Sequence, residues 1–289
     1  MDLGSCNLGG NADAVEFCPH RPFRHVLAAA TYTLQEQAGE EQQQDRAGTV
    51  SLFSVDAAAE DESRRLRLLH TVETAGVFDM KWSPTEPLLA QADAHGRLVL
   101  RRLEQEDGSE EGVVLTDVCA GDVSSSMCLF VDWNQNADSL SVGLSDGSLS
   151  VISVREDRLE NPLEGNLLLT GSYDEYLRVW DMRSMAKPVN EKSLNLGGGV
   201  WRIKYHPSIV DVILAACMHN GFAIVKVGTE DATVMETYCK HESLAYGADW
   251  QTSEVEEHNT DSSVIATCSF YDRLLRVWKL ENLVNHPSF

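Results

Sequence analysis

The chain has 289 residues, 43% of them hydrophobic, and its 45 acidic against 23 basic residues leave a net charge of −22. A surface this acidic repels phosphate backbones, which argues against nucleic-acid binding and for a basic protein partner or plain solubility. No run of 18 apolar residues is present to cross a membrane, and the opening Met1-Asp-Leu-Gly-Ser5 lacks the basic-then-apolar pattern of a secretory leader, so neither is expected.

The seven cysteines, Cys6, Cys18, Cys119, Cys128, Cys217, Cys239 and Cys268, are scattered, odd in number and never in a Cys-x-x-Cys pair. That pattern argues against a zinc site or a disulfide framework. It suits thiols buried in strands in a reducing compartment, so a cytoplasmic protein without metal or cofactor is expected.

Taken in order, the chain repeats one theme. Ala14–Phe17 alternates and stops at Pro19, Val26–Tyr32 is an apolar strand, residues 35–47 read as a solvated loop, and Thr49–Val55 alternates again. The second round is Val77–Trp82 before Pro84, then Leu88–Ala92, a turn at Asp93-Ala-His-Gly96, and Arg97–Leu103. Acidic residues 104–111 follow as a loop. The third is Met127–Trp133, Ser139–Leu144, a turn at Ser145-Asp-Gly147, and Ser148–Val154. Leu167–Arg183 then supplies a hairpin with a Ser-x-Asp turn and a Trp180-Asp181 end. Val200–Tyr205 before Pro207, Val212–Cys217, the turn His219-Asn-Gly221 and Phe222–Val227 make the next round. The last is Leu244–Trp250, Val264–Ser269, a turn at Tyr271-Asp272, and Leu274–Leu280. Hairpins with Asp or Asn turns, ending in Trp-Asp and repeated along a chain, mark an all-β WD-repeat propeller. A single domain over residues 1–289 is expected.

The repeat has a defect. Inner strands end at Phe17, Trp82, Trp133, Tyr205 and Trp250, so six hairpins share five inner strands. The interval from Trp133 to Tyr205 holds two hairpins where each of the others holds one. The stretch Arg155–Gly165 must carry an outer strand, a loop and an inner strand, yet it is short, charged and broken by Pro162. About six blades with one incomplete, around residues 155–183, are therefore expected, with an internal block missing near Glu160.

The motifs Thr170-Gly-Ser-Tyr-Asp-Glu175 with Trp180-Asp181, Gly198-Gly-Val-Trp-Arg-Ile-Lys-Tyr-His-Pro207, Leu214–Phe222, Tyr246-Gly-Ala-Asp-Trp250 and Ala266–Asp272 resemble the WD-repeat family of diphthine methyltransferases. The amino half matches more weakly, through Val15–Pro19 and Asp79–Trp82. The resemblance implies a seven-bladed propeller. It also implies a carboxylic ester hydrolase that removes the methyl ester of over-methylated diphthine, a modified histidine of translation elongation factor 2, giving methanol and diphthine in diphthamide biosynthesis. The family carries further WD-type sequence where this chain passes from Glu160 to Asn161.

Ester hydrolysis needs an activated water or nucleophile, a base and oxyanion donors. No Gly-x-Ser-x-Gly elbow or His-Glu-x-x-His is present, so the candidates come from position. Four residues before the final aromatics Trp82, Tyr205 and Trp250 lie Phe78, Trp201 and Tyr246, where inner strands leave the upper loops. Asp79 and Arg202 follow two of them. An aromatic rim with one acid and one guanidinium suits a trimethylammonium-bearing histidine, and otherwise serves as packing between blades. The turn Tyr271-Asp272 adds Tyr271 to the binding candidates. His219, beside the structural slot of its turn, is the candidate base, with Arg202 and Asp79 as further catalytic candidates. Asp174 and Asp272 read as turn ties, and His206, before Pro207 on the opposite face, as structural. A non-catalytic scaffold stays open beside the esterase, because fold does not fix function.

Overall fold

The computed structural model describes residues 2–35, 45–106, 108–109, 112–134, 136–147, 149–154, 167–181, 189–209, 211–228, 231–252 and 262–281. They form antiparallel sheets arranged as the repeat predicts. Strand β1 (Asp2–Asn7) precedes a first sheet of β2 (Asn11–Phe17), β3 (Val26–Gln35), β4 (Asp45–Val55) and β5 (Leu66–Ala75). The second holds β6 (Val77–Trp82), β7 (Leu88–Asp93), β8 (Arg97–Gln105) and β9 (Val113–Asp122). The third has β10 (Cys128–Trp133), β11 (Ser139–Leu144) and β12 (Leu149–Ser153), and the fourth β13 (Leu167–Gly171), β14 (Tyr176–Asp181) and β15 (Val189–Asn195). The fifth holds β16 (Arg202–Tyr205), β17 (Val212–Ala216), β18 (Phe222–Val227) and β19 (Ala232–Tyr238). The sixth joins β20 (Ala245–Trp250), β21 (Ser262–Ser269) and β22 (Leu274–Glu281) to β1, so the two ends of the chain close one sheet.

Within each sheet, burial follows the apolar runs. The second strands β7 and β17 are buried at every residue, since both of their faces meet neighbouring sheets. The turns after second strands share one backbone feature: Gly96, Gly147, Glu175, Gly221 and Arg273 all have positive φ. At Gly96 the space is closed as well, because a Cβ there would lie 2.0 Å from the Ser124 carbonyl oxygen.

The inner-strand tryptophans stitch sheet to sheet. Trp82 Nε1 donates to the Glu16 carbonyl at 3.3 Å, Trp133 Nε1 to Lys81 at 3.0 Å, and Trp250 Nε1 to Lys204 at 3.2 Å. Each acceptor immediately precedes the terminal aromatic of the previous inner strand. The aromatic register read from sequence is thus an inter-sheet hydrogen bond repeated around the axis. Each such bond is worth about 1 kcal/mol net.

Apolar clusters fill five of the junctions, between the first and second, second and third, fourth and fifth, fifth and sixth, and sixth and first sheets. Among the described residues no cluster joins the third sheet to the fourth. Among the described residues both of these sheets are three-stranded. The stretch 155–165 on which the defect was placed lies outside the described residues.

Smaller expectations change. The strand after the loop begins at Asp45 rather than Thr49, and the preceding one reaches Gln35. Cys119 and Cys239 are exposed instead of buried, and all seven cysteines are free thiols. Among the described residues, no helix is long and apolar enough to cross a membrane.

Candidate functional site

Inner strands run from the upper face downward, so their first residues crowd the mouth of the axis. The structure brings Phe78, Trp201, Tyr246 and Tyr271 into one connected aromatic cluster. Trp201 stacks on Tyr246, with centroids 4.6 Å apart and planes 17° apart. Tyr246 meets Phe270 at 5.0 Å, and Phe270 meets both Tyr271 (4.8 Å) and Tyr32 (5.0 Å). Tyr32 meets Phe78 at 4.8 Å, and Tyr173 stands edge-on to Trp201 at 6.1 Å. Tyr173 and Tyr271 are exposed, Trp201 is 37% exposed, and Tyr246 and Phe270 are buried beneath them. The loop before Trp201 can enter this space only as glycine, since a Cβ on Gly198 would sit 2.1 Å from the Cys217 carbonyl oxygen.

Under the rings lies Asp13, fully buried. Trp201 Nε1 donates to its Oδ1 at 3.3 Å, and its Oδ2 is buried without a partner among the described residues. Burial pushes the Asp13 carboxyl up to about 7; Arg202 and the Trp201 N–H pull against this, and Asp79 adds to it. The same burial pushes the Tyr32 phenol up to about 12 and raises that of Tyr246.

Asp13 was not among the residues singled out from sequence. The signal was available: four residues before Phe17 falls on Asp13, the slot that holds Phe78, Trp201 and Tyr246 in three of the other inner strands.

Arg202 and Asp79 form a buried ion pair linking β16 to β6, and Arg202 Nη2 donates to the Phe78 carbonyl at 3.3 Å. Asp79 Oδ2 also accepts from the Val131 amide at 3.1 Å, which ties in β10. Burial works against the Arg202 charge, but Asp79 and Asp13 beside it raise its pKa on balance. Its fork is committed to this crossing. Further down the axis, Glu16 accepts from both Lys204 and Lys81, so charges fill the centre below the rings.

His219 lies in the turn between β17 and β18, exposed and without a hydrogen bond among the described residues. Its neighbour Met218 packs with Tyr246 and Phe270, which sets His219 at the edge of the cluster rather than within it.

A Ser-His-Asp group does occur elsewhere. His241 contacts the Ser269 hydroxyl at 2.5 Å and Thr267 at 2.9 Å, and Ser269 donates to Asp272 at 2.5 Å. Ser269 and Thr267 are fully buried, and burial drives the His241 pKa down to about 4. Asp272 also accepts from the Glu242 amide at 3.2 Å. The group ties a turn to its strand, with both of its hydroxyls buried. Asp174 is tied likewise, to Arg178 and the Tyr176 amide. His206 accepts from the amides of Ser208 and Ile209 on the opposite face. Among the described residues no group of three or more His, Cys, Asp or Glu side chains is placed to hold a metal.

A sequence family described as WD domain, G-beta repeat matches residues 159–181, the segment that includes β13 and β14. A Dictyostelium discoideum protein named diphthine methyltransferase homolog is 24% identical over 364 residues, covering 94% of this chain and 97% of its own length. The human protein named diphthine methyltransferase is 26% identical over 329 residues, covering 83% of this chain and 72% of its own. The chain is a WD-repeat relative of the diphthine methyltransferases. Both alignments are longer than the chain's own 289 residues, so the relatives hold stretches that it lacks. A chain in a crystal structure of the mitotic checkpoint complex superposes over 98% of this chain and 95% of its own, with TM-score 0.52 and 13% identity, a likeness of fold alone.

Proposed function

We propose that this protein hydrolyses the methyl ester of over-methylated diphthine on translation elongation factor 2, in the cytoplasm, as a step of diphthamide biosynthesis. The names of its relatives support a role in diphthamide biosynthesis. The observation that carries the finer reading is the aromatic cluster over a buried carboxylate at the axis mouth, an environment for a methylated cation next to a reacting ester. In this reading Trp201, Tyr246, Tyr271 and Phe78 form the substrate-binding wall. Arg202 and Asp79 hold β6 and β16 together beneath it, and His219 takes a proton from the attacking water. The water oxygen bonds to the ester carbonyl carbon, the bond to the methoxy oxygen breaks, and the proton leaves with methanol. Neither a metal nor a cofactor enters the scheme.

The test is methanol release from methylated elongation factor 2 incubated with the purified full chain, alongside His219→Ala. Release by the parent chain supports the reading, and a folded His219→Ala protein with unchanged turnover removes His219 from it. A second reading, a non-catalytic scaffold within the same pathway, is favoured by one observation: the hydroxyl of Ser269 and the thiol of Cys268 are buried and closed to substrate. It predicts binding of the elongation factor without methanol release.

A further inference from the structure

The turn between β17 and β18 departs from its counterparts. In the turns that share a positive φ, the residue before that position fills one slot: His95, Asp146, Asp174, Asn220 and Asp272. Where the slot holds an acid, the acid accepts. Asp146 takes the Ser126 hydroxyl at 3.1 Å, Asp174 the Tyr176 amide at 3.2 Å, and Asp272 the Ser269 hydroxyl at 2.5 Å, each from its own sheet or the loop leading into it. Asn220 donates instead, and to another sheet. Its Nδ2 reaches the Leu196 carbonyl at 2.6 Å, on the segment that leaves β15. A carbonyl only accepts, so this bond requires the amide nitrogen. The glycine run that follows is fitted to the same side chain. A Cβ on Gly197 would lie 2.8 Å from Asn220 Nδ2, and one on Gly198 would lie 3.1 Å from Asn220 Cβ. The run ends at Val200, whose amide donates to the Ser172 carbonyl at 3.0 Å, and Trp201, whose amide donates to Ala216 at 2.9 Å. Leu196 and Gly197 are also tied to Glu175 and Asn195, on the fourth sheet's side. Among the described residues, Asn220 supplies the side-chain hydrogen bond that joins the start of the run to the fifth sheet.

We propose that Asn220 is a positioning residue: its side-chain amide sets the path of residues 196–200 and so holds Trp201 in its stack on Tyr246 and on the Asp13 carboxyl. For its effect on turnover the inference rests on the proposed function; the clamp itself stands on geometry. A run of three glycines has a wide choice of backbone conformations, so its path is set by what ties it from outside. Trp201 lies five residues beyond the tied carbonyl, and a shift of that carbonyl passes along the run to the indole. The ring has little room to absorb it, since it meets Tyr246 at 4.6 Å with planes 17° apart and gives its N–H to Asp13. Asn220→Asp is the sharpest probe. It keeps the shape of the side chain but sets an acceptor against the Leu196 carbonyl, so attraction becomes repulsion. Asn220→Ala removes the tie without adding charge.

The experiment uses the full chain labelled with 5-fluorotryptophan, in which the Trp201 fluorine resonance is identified by its loss in Trp201→Leu. Asn220→Asp and Asn220→Ala should both move that resonance towards the position of free 5-fluorotryptophan and leave those of Trp82 and Trp250 in place. Asp146→Asn, the same slot in the third sheet, should leave Trp201 unmoved. In the methanol-release assay on methylated elongation factor 2, the Asn220 variants should raise KM about tenfold and change kcat by less than about threefold. The unaltered chain carries a check that needs no variant to fold: the Asn220 side-chain amide protons should exchange with solvent at least about tenfold more slowly than those of free asparagine. Exchange there at the free rate, or a folded Asn220→Asp protein whose Trp201 resonance has not moved, overturns the proposal. The two readings separate cleanly. A moved resonance with unchanged KM keeps the clamp and takes Trp201 out of the substrate-binding wall. A moved resonance in a chain whose parent releases no methanol keeps the clamp and removes the esterase.

Discussion

Asp13 shows how one backbone slot can carry two chemistries. In β6, β16 and β20 the residue four before the terminal aromatic is itself aromatic and covers the axis mouth, whereas in β2 it is an acid that those rings bury. Burying a carboxylate costs stability unless it stays protonated. With a folded pKa of about 7 against an ordinary 3.8, the folded state holds the proton that the unfolded chain has lost. Asp13 therefore contributes fully below about pH 4, and the contribution fades as pH rises through 7. Asp13→Asn should stabilise the fold at pH 8, by up to about 4 kcal/mol from the size of the shift, and much less at pH 5. Urea unfolding at the two pH values checks this; equal effects at both would show that Asp13 is already ionised at pH 5. The half-buried histidines follow the opposite sign. His206 and His241, pushed down to about 4, stay neutral in the fold. Their contribution is present above about 6.5 and is lost as pH falls through 4. Histidine ring resonances should show both charging only below pH 5.

At the scale of elements, most of the architecture was legible because it rests on local pattern. Alternation, Pro stops and Asp or Asn turns place the hairpins, and the terminal aromatics give the inner strands, because those residues must face the neighbouring sheet and bond to it. The outer strands β5, β9, β15 and β19 were not read. They are largely exposed or charged, as in Glu73, Asp117 and Glu236, and an edge strand needs no apolar run when only one flank is paired. The site was legible in part for the same reason. The positional alignment found the rings, while Asp13 escaped because an acid in an alternating strand reads as solvent-facing. Which rings touch depends on contacts across sheets far apart in sequence. The tryptophan bonds offer a direct check. Trp133→Phe keeps the ring and removes the donor to Lys81, so it should cost about 1 kcal/mol and loosen the third sheet from the second. A guanidinium melt gives the first quantity, and faster amide exchange in β10–β12 than in β2–β5 gives the second.

For the molecule as a whole, the distribution of cores matters more than the number of sheets. Five junctions are filled, and among the described residues the third and fourth sheets have three strands each and share no apolar cluster. The site is built from the first, second, fourth, fifth and sixth sheets, with its ion pair spanning β6 and β16. Among the described residues β12 and β13 are sheet edges, and open edges recruit other strands, so the chain should associate on heating, with β12 and β13 losing exchange protection before β3 and β7. The most direct test is the mass of the modified histidine peptide of methylated elongation factor 2 after incubation with the full chain, beside Trp201→Leu. The account predicts that the parent chain removes one methyl group as methanol, and that folded Trp201→Leu does so at least about tenfold less efficiently, chiefly through KM. An unchanged peptide after incubation with the folded parent chain, or equal turnover by Trp201→Leu, would contradict it.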